Sequence, residues 1–129
     1  MPKISLPCAP ALAVRVAISL LSCLLASPAD AHALLRKAVP AVGSSVHAAP
    51  DSVVLLFSEG VEPAFSTIAV TDAAGARFDN GAPRTAPDSD KTLRVALKPL
   101  PAGVYTVRWH ATAVDTHKTE GTFTFAVAP

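Results

Sequence analysis

The chain has 129 residues, half of them hydrophobic, with eleven Lys and Arg against ten Asp and Glu. That length makes one globular domain, and a formal charge of +1 without a basic run gives neither nucleic acid nor anionic lipid a surface to hold. Cys8 and Cys23 both lie near the amino terminus, so the remaining chain must hold its core by packing, without a disulfide.

The first stretch reads as an export signal. Lys3 and Arg15 precede an apolar run, Val16 to Ala26, and Ser27-Pro28 and then Ala29-Asp30-Ala31 follow it. The run is too short for the roughly 20 residues that span a bilayer as a helix, and no later segment is long and apolar enough to try. Residues 1–31 are therefore expected to be cleaved on export, leaving residues 32–129 with His32 as the new amino terminus. A competing cut at Leu20-Leu21-Ser22-Cys23 would lipidate Cys23 and keep His32 internal, but it falls inside the apolar run. Loss of Lys3, Arg15 and Asp30 leaves acidic and basic side chains in balance.

Beyond His32, short alternating apolar runs are separated by Pro, Gly, Asn and Asp at intervals too short for βαβ units, which is an all-β pattern. Ser52 to Phe57 reads as a strand, Ser66 to Thr71 as the next, and Asp72-Ala73-Ala74-Gly75 as a turn. Asp79 to Lys91, polar and rich in Pro and Asp, reads as an exposed loop. In the strand Thr92 to Leu97, Leu93, Val95 and Leu97 point inward, and Pro99 to Gly103 reverses the chain. Val104 to Ala111 then sets Tyr105, Val107, Trp109 and Ala111 on one face and Thr106, Arg108 and His110 on the other. Thr122 to Val127 places Phe123, Phe125 and Val127 inward. About seven such strands fit a two-sheet Greek-key sandwich centred on Trp109, Tyr105, Phe57, Phe123 and Phe125.

Three features point to a metal. A terminal His32 offers both its α-amine and its imidazole, a chelate that no internal histidine supplies. Asp115 and His117 stand two residues apart in the connection between the last two strands, and in an extended segment that spacing directs both side chains the same way, about 6.5–7 Å apart at Cα. The first strand of a Greek-key sandwich can begin near that connection, which would gather two imidazoles, an amine and a carboxylate. Such a set suits Cu(II), with zinc as the main rival. Residues 32–129 contain neither Cys nor Met, which excludes a sulfur-ligated Cu(I) or blue-copper site. His110 reads as an outer-face residue and His47 as a loop residue, and neither carries a signal alone.

Together these segments resemble the CopC family of periplasmic copper-resistance proteins. The resemblance runs through His32-Ala33-Leu34-Leu35, Pro40-Ala41-Val42-Gly43, Val54 to Glu62 with Ser58-Glu59-Gly60, Leu100 to Trp109, Asp115-Thr116-His117 and Gly121 to Phe125. It implies an Ig-like or cupredoxin-like β-sandwich with Cu(II) held by the amine and imidazole of His32, by His117 and by Asp115, with Glu59 close by to hydrogen-bond the amine or a bound water. It also implies a monomeric carrier or buffer rather than an enzyme, with an inner-membrane copper importer of the CopD type as its partner. The family pattern is Asp-Gly-His, whereas here a β-branched Thr116 separates the two ligands and would be strained if the loop required positive φ. The methionine-rich Cu(I) segment of some members is absent. Two other readings share part of these features: a copper oxidase of the histidine-brace kind, and a metal-free Ig-like interaction module.

Overall fold

The computed structural model describes residues 33–129, so the expected signal segment and His32 lie outside the described residues. Eight strands make up the domain: β1 (Leu35–Val39), β2 (Ser45–Val46), β3 (Ser52–Phe57), β4 (Thr67–Thr71), β5 (Asp79–Ala86), β6 (Ser89–Leu97), β7 (Gly103–Thr112) and β8 (Lys118–Val127). They form two four-stranded sheets, ordered β1-β3-β6-β5 and β2-β8-β7-β4. The expected β-sandwich is the fold of this chain. Among the described residues no helix is long and apolar enough to cross a membrane.

The two-residue period explains the core. Val53, Leu55 and Phe57 of β3 and Leu93, Val95 and Leu97 of β6 bury one face of the first sheet. Tyr105, Val107, Trp109 and Ala111 of β7 and Phe123, Phe125 and Val127 of β8 bury the facing side of the second. Trp109 meets Phe57 edge-to-face across the sandwich, with ring centroids 5.1 Å apart, and Tyr105 stacks on Phe125 at 5.5 Å. The Tyr105 hydroxyl donates to the Pro101 carbonyl, fastening the turn that launches β7.

The expected loop from Asp79 to Lys91 is instead a hairpin. β5 and β6 pair antiparallel down to Ala86↔Ser89, leaving only Pro87 and Asp88 to turn. Proline and glycine are tolerated here because β5 is an edge strand and its register slips between Asn80 and Arg84, around Gly81 and Pro83. β4 and β5 belong to different sheets, and Asp79 joins them by accepting the Val70 N–H at 3.0 Å.

Candidate metal centre

β7 and β8 pair without interruption from Gly103↔Val127 to Thr112↔Lys118. Beyond that, the Ala113 N–H donates to the His117 carbonyl at 2.8 Å and the Thr116 N–H donates to the Ala113 carbonyl at 2.8 Å. This is a three-residue hairpin turn, Val114-Asp115-Thr116, whose third residue must adopt the left-handed conformation. Thr116 takes it, at φ 77°, and is the only non-glycine residue with positive φ among the described residues.

The turn brings the expected ligands together more tightly than an extended segment would. Asp115 Oδ1 accepts the His117 backbone N–H at 3.2 Å, and Asp115 Oδ2 stands 3.0 Å from His117 Nδ1. The pair is accessible, with side chains 40% and 50% exposed for Asp115 and His117. The hydrogen bond from His117 is the main reason the Asp115 carboxyl is held below its ordinary range. In return, the hydrogen bond to Asp115 and then its charge raise the His117 imidazole, and the charge of Glu59 adds to the effect.

Glu59 lies in the bend just past the end of β3, and its charge reaches His117. His117 directly precedes β8. The two sheets thus deliver one side chain each to the same open end of the sandwich. Glu59 is half-buried. The next residue, Gly60, accepts the Val114 N–H at 3.0 Å and so fixes the tip of the turn against the end of β3.

The segment leading into β1 closes this end. Ala33 is fully buried in the core. The Leu34 N–H donates to Ser58 Oγ at 2.8 Å, and the Ser58 N–H returns a bond to the Leu34 carbonyl at 2.8 Å. Thr119 Oγ1 donates to the Ala33 carbonyl at 2.9 Å. Ser58 and Thr119 have no sequence signature as site residues, since nothing local marks which hydroxyls will meet the amino-terminal arm.

Among the described residues no three His, Cys, Asp or Glu side chains gather closely enough to hold a metal ion. Asp115 and His117 supply two donors, and a third expected ligand, His32, lies outside the described residues. The other histidines are elsewhere: His110 Nδ1 meets Glu120 Oε2 at 3.0 Å on the outer face of β7 and β8, and His47 is exposed just after β2.

Residues 35–128 match the CopC domain. The chain belongs to the CopC family. The CopC match spans Glu59, Asp115 and His117. Protein YobA of Escherichia coli (strain K12) is 39% identical to it over 116 residues, covering 88% of this chain and 94% of YobA. Copper resistance protein C of Escherichia coli is 36% identical over 110 residues, covering 80% of this chain and 86% of that protein. The crystal structure of CopC from Methylosinus trichosporium OB3b aligns with a TM-score of 0.71 at 33% identity, over 76% of this chain and 95% of that one.

Proposed function

We propose that this CopC-family protein is a periplasmic Cu(II) carrier or buffer in copper homeostasis and resistance. The observation that carries the reading is the Asp115–His117 pair, 3.0 Å apart and accessible, at the same end of the sandwich as the buried Ala33 to which His32 is joined. In this reading residues 1–31 are a signal segment removed on export. Cu(II) is then held by the amine and imidazole of His32, by His117 and by Asp115. Glu59 stands beside them, and its carboxylate hydrogen-bonds the amine or a bound water and keeps the donors in place.

The donor chemistry favours the oxidised ion. Imidazole, amine and carboxylate suit Cu(II), and residues 33–129 provide no thiolate or thioether for Cu(I). The copper named for Copper resistance protein C fits that donor set. The protein holds its ion and releases it to an acceptor, an inner-membrane importer of the CopD type, and works as a monomer without turnover.

The test is the intact mass of the full-length chain expressed in a bacterial host and purified from the periplasm, with and without one equivalent of Cu(II). A mass beginning at His32 that gains one copper, with affinity lost in His32→Ala and His117→Ala, is the expected result. A lipidated Cys23 form, or a correctly cut form that ignores copper, would overturn the reading. Sustained reductant-dependent peroxide production by the copper-loaded protein would replace the carrier with an oxidase.

A further inference from the structure

The arm that leads into β1 is tied to both sheets. On one side the Leu34 N–H donates to Ser58 Oγ and the Leu34 carbonyl accepts the Ser58 N–H, both at 2.8 Å, and Ser58 directly follows β3 of the first sheet. On the other, Thr119 Oγ1 of β8, in the second sheet, reaches the Ala33 carbonyl at 2.9 Å. The first tie extends the antiparallel pairing of β1 with β3, which already matches Leu35 to Phe57. It fixes the arm relative to Glu59 and leaves its distance from the second sheet to be set by packing and by Thr119.

We infer that Thr119 is a positioning residue for the metal: its hydroxyl sets how far the amino-terminal arm lies from His117. Thr119 is the second residue of β8 and stands two residues after His117, so its bond spans from the strand that His117 leads into to the residue after His32. The inference rests on the copper reading of His32 given above. Ligand–metal distances are tolerant to about 0.2 Å, so an arm free to drift against β8 presents its donors at the right separation only part of the time. Ala33 is wholly buried, so removing the Thr119 hydroxyl would also strip its carbonyl of a hydrogen bond and favour such a drift.

Three mature chains beginning at His32 would be compared by competitive Cu(II) titration and electron paramagnetic resonance: wild type, Thr119→Val and Thr119→Ser. A fourth, wild type with one Met placed before His32, blocks the terminal chelate. Valine matches threonine in shape and suits a strand, and thermal unfolding would establish that the variants are folded. Should Thr119→Val not fold, Thr119→Ala asks the same question. The expected result is a loss of about tenfold in Cu(II) affinity, the lower end of what outer ligand-orienting contacts contribute. It should come with a resonance signature of fewer nitrogen ligands in Thr119→Val and recovery of both in Thr119→Ser. A folded Thr119→Val or Thr119→Ala with the wild-type affinity and signature would overturn the inference while leaving the copper site standing. Equal copper binding by the wild type and the Met-extended chain would overturn the copper reading of His32, and this inference with it.

Discussion

Asp115 Oδ2 lies 3.0 Å from His117 Nδ1 at the tip of the β7–β8 hairpin, and each group holds the other's charge. The imidazole is raised above its ordinary 6.5 and the carboxyl lowered below its ordinary 3.8. The histidine contribution to stability is fully present below 6.5 and is lost as pH rises through the raised value. The aspartate contribution is present above 3.8 and is lost as pH falls through the lowered value. Both act between 3.8 and 6.5. In the metal-free protein, NMR titration should find His117 charging above the ordinary histidine range, and Asp115→Asn should bring its midpoint down. An unchanged midpoint in that variant would mean that the pair does not form in solution. On the proposed copper reading, protons and Cu(II) would compete for this imidazole, and Cu(II) affinity should then fall as pH drops through the His117 midpoint.

Thr116 sits at φ 77° in a turn position where glycine carries no steric penalty. A β-branched side chain in the left-handed region costs on the order of 1–3 kcal/mol, and glycine returns part of that through the greater freedom of its unfolded chain. Thr116→Gly should therefore stabilise the protein by about 1 kcal/mol, which for a domain of this size is roughly 4–8 °C in Tm. Thr116→Asn should gain less. Denaturant unfolding of the metal-free variants decides it, and a destabilised Thr116→Gly would mean that the threonine side chain makes a compensating contact.

Much of this arrangement is legible before any coordinates. The inward rows of β3, β6, β7 and β8 follow from alternation alone, because each has one face in the core and the period admits one register. The Thr116 strain was foreseeable only as a condition, because the family pattern puts glycine between Asp115 and His117 and a β-branched residue there is strained if the turn needs positive φ. The hairpin from Asp79 to Leu97 was not legible, because β5 is an edge strand and its Pro83 and Gly81 are tolerated where no neighbour needs their N–H or side chain. The two-residue spacing misled in a different way: Asp115 and His117 meet through a three-residue turn that lets the carboxylate grip the backbone and ring two residues on. The anchors Ser58 and Thr119 are long-range hydroxyl contacts, 24 and 86 residues from their partners, which no local pattern encodes.

Asp79 is where the two sheets meet through a charge. Its Oδ1 accepts the Val70 N–H of β4 at 3.0 Å and the Arg77 Nε–H at 2.7 Å, while its Oδ2 accepts from the second Arg77 nitrogen at 2.6 Å. The hydrogen bond from Arg77 is the first cause that lowers its carboxyl below the ordinary 3.8. Stability from this group is therefore present above 3.8 and is lost as pH falls through the lowered value. Asp79→Ala should cost about 2 kcal/mol near neutrality, the scale of hydrogen bonds to a charged acceptor. The gap between variant and wild type should persist down to about pH 4 and close below it, as read by denaturant midpoints across the acid range. A gap independent of pH would place the effect in packing.

Gly121 and Trp109 are register partners on β8 and β7, and the indole lies across the glycine. A Cβ added at residue 121 would stand 2.6 Å from Trp109 Cζ2 and 2.7 Å from Cε2. The indole cannot retreat easily, because its other side meets Phe57 edge-to-face at 5.1 Å and it is 6% exposed. Gly121→Ala should therefore overpack the core and cost about 2 kcal/mol, lowering Tm by roughly 10 °C. The chain has a single tryptophan, so its fluorescence reports the displacement directly. Gly121 also stands between Phe123 and Thr119 in β8. A strand pushed outward there would carry the Thr119 hydroxyl away from the Ala33 carbonyl, so on the proposed copper reading the variant should lose Cu(II) affinity as well as stability. Trp109→Phe in the same chain, by making room for the added methyl, should restore part of both. If Gly121→Ala keeps the wild-type Tm, the indole has room to move and the packing of this strand does not reach the Thr119–Ala33 contact.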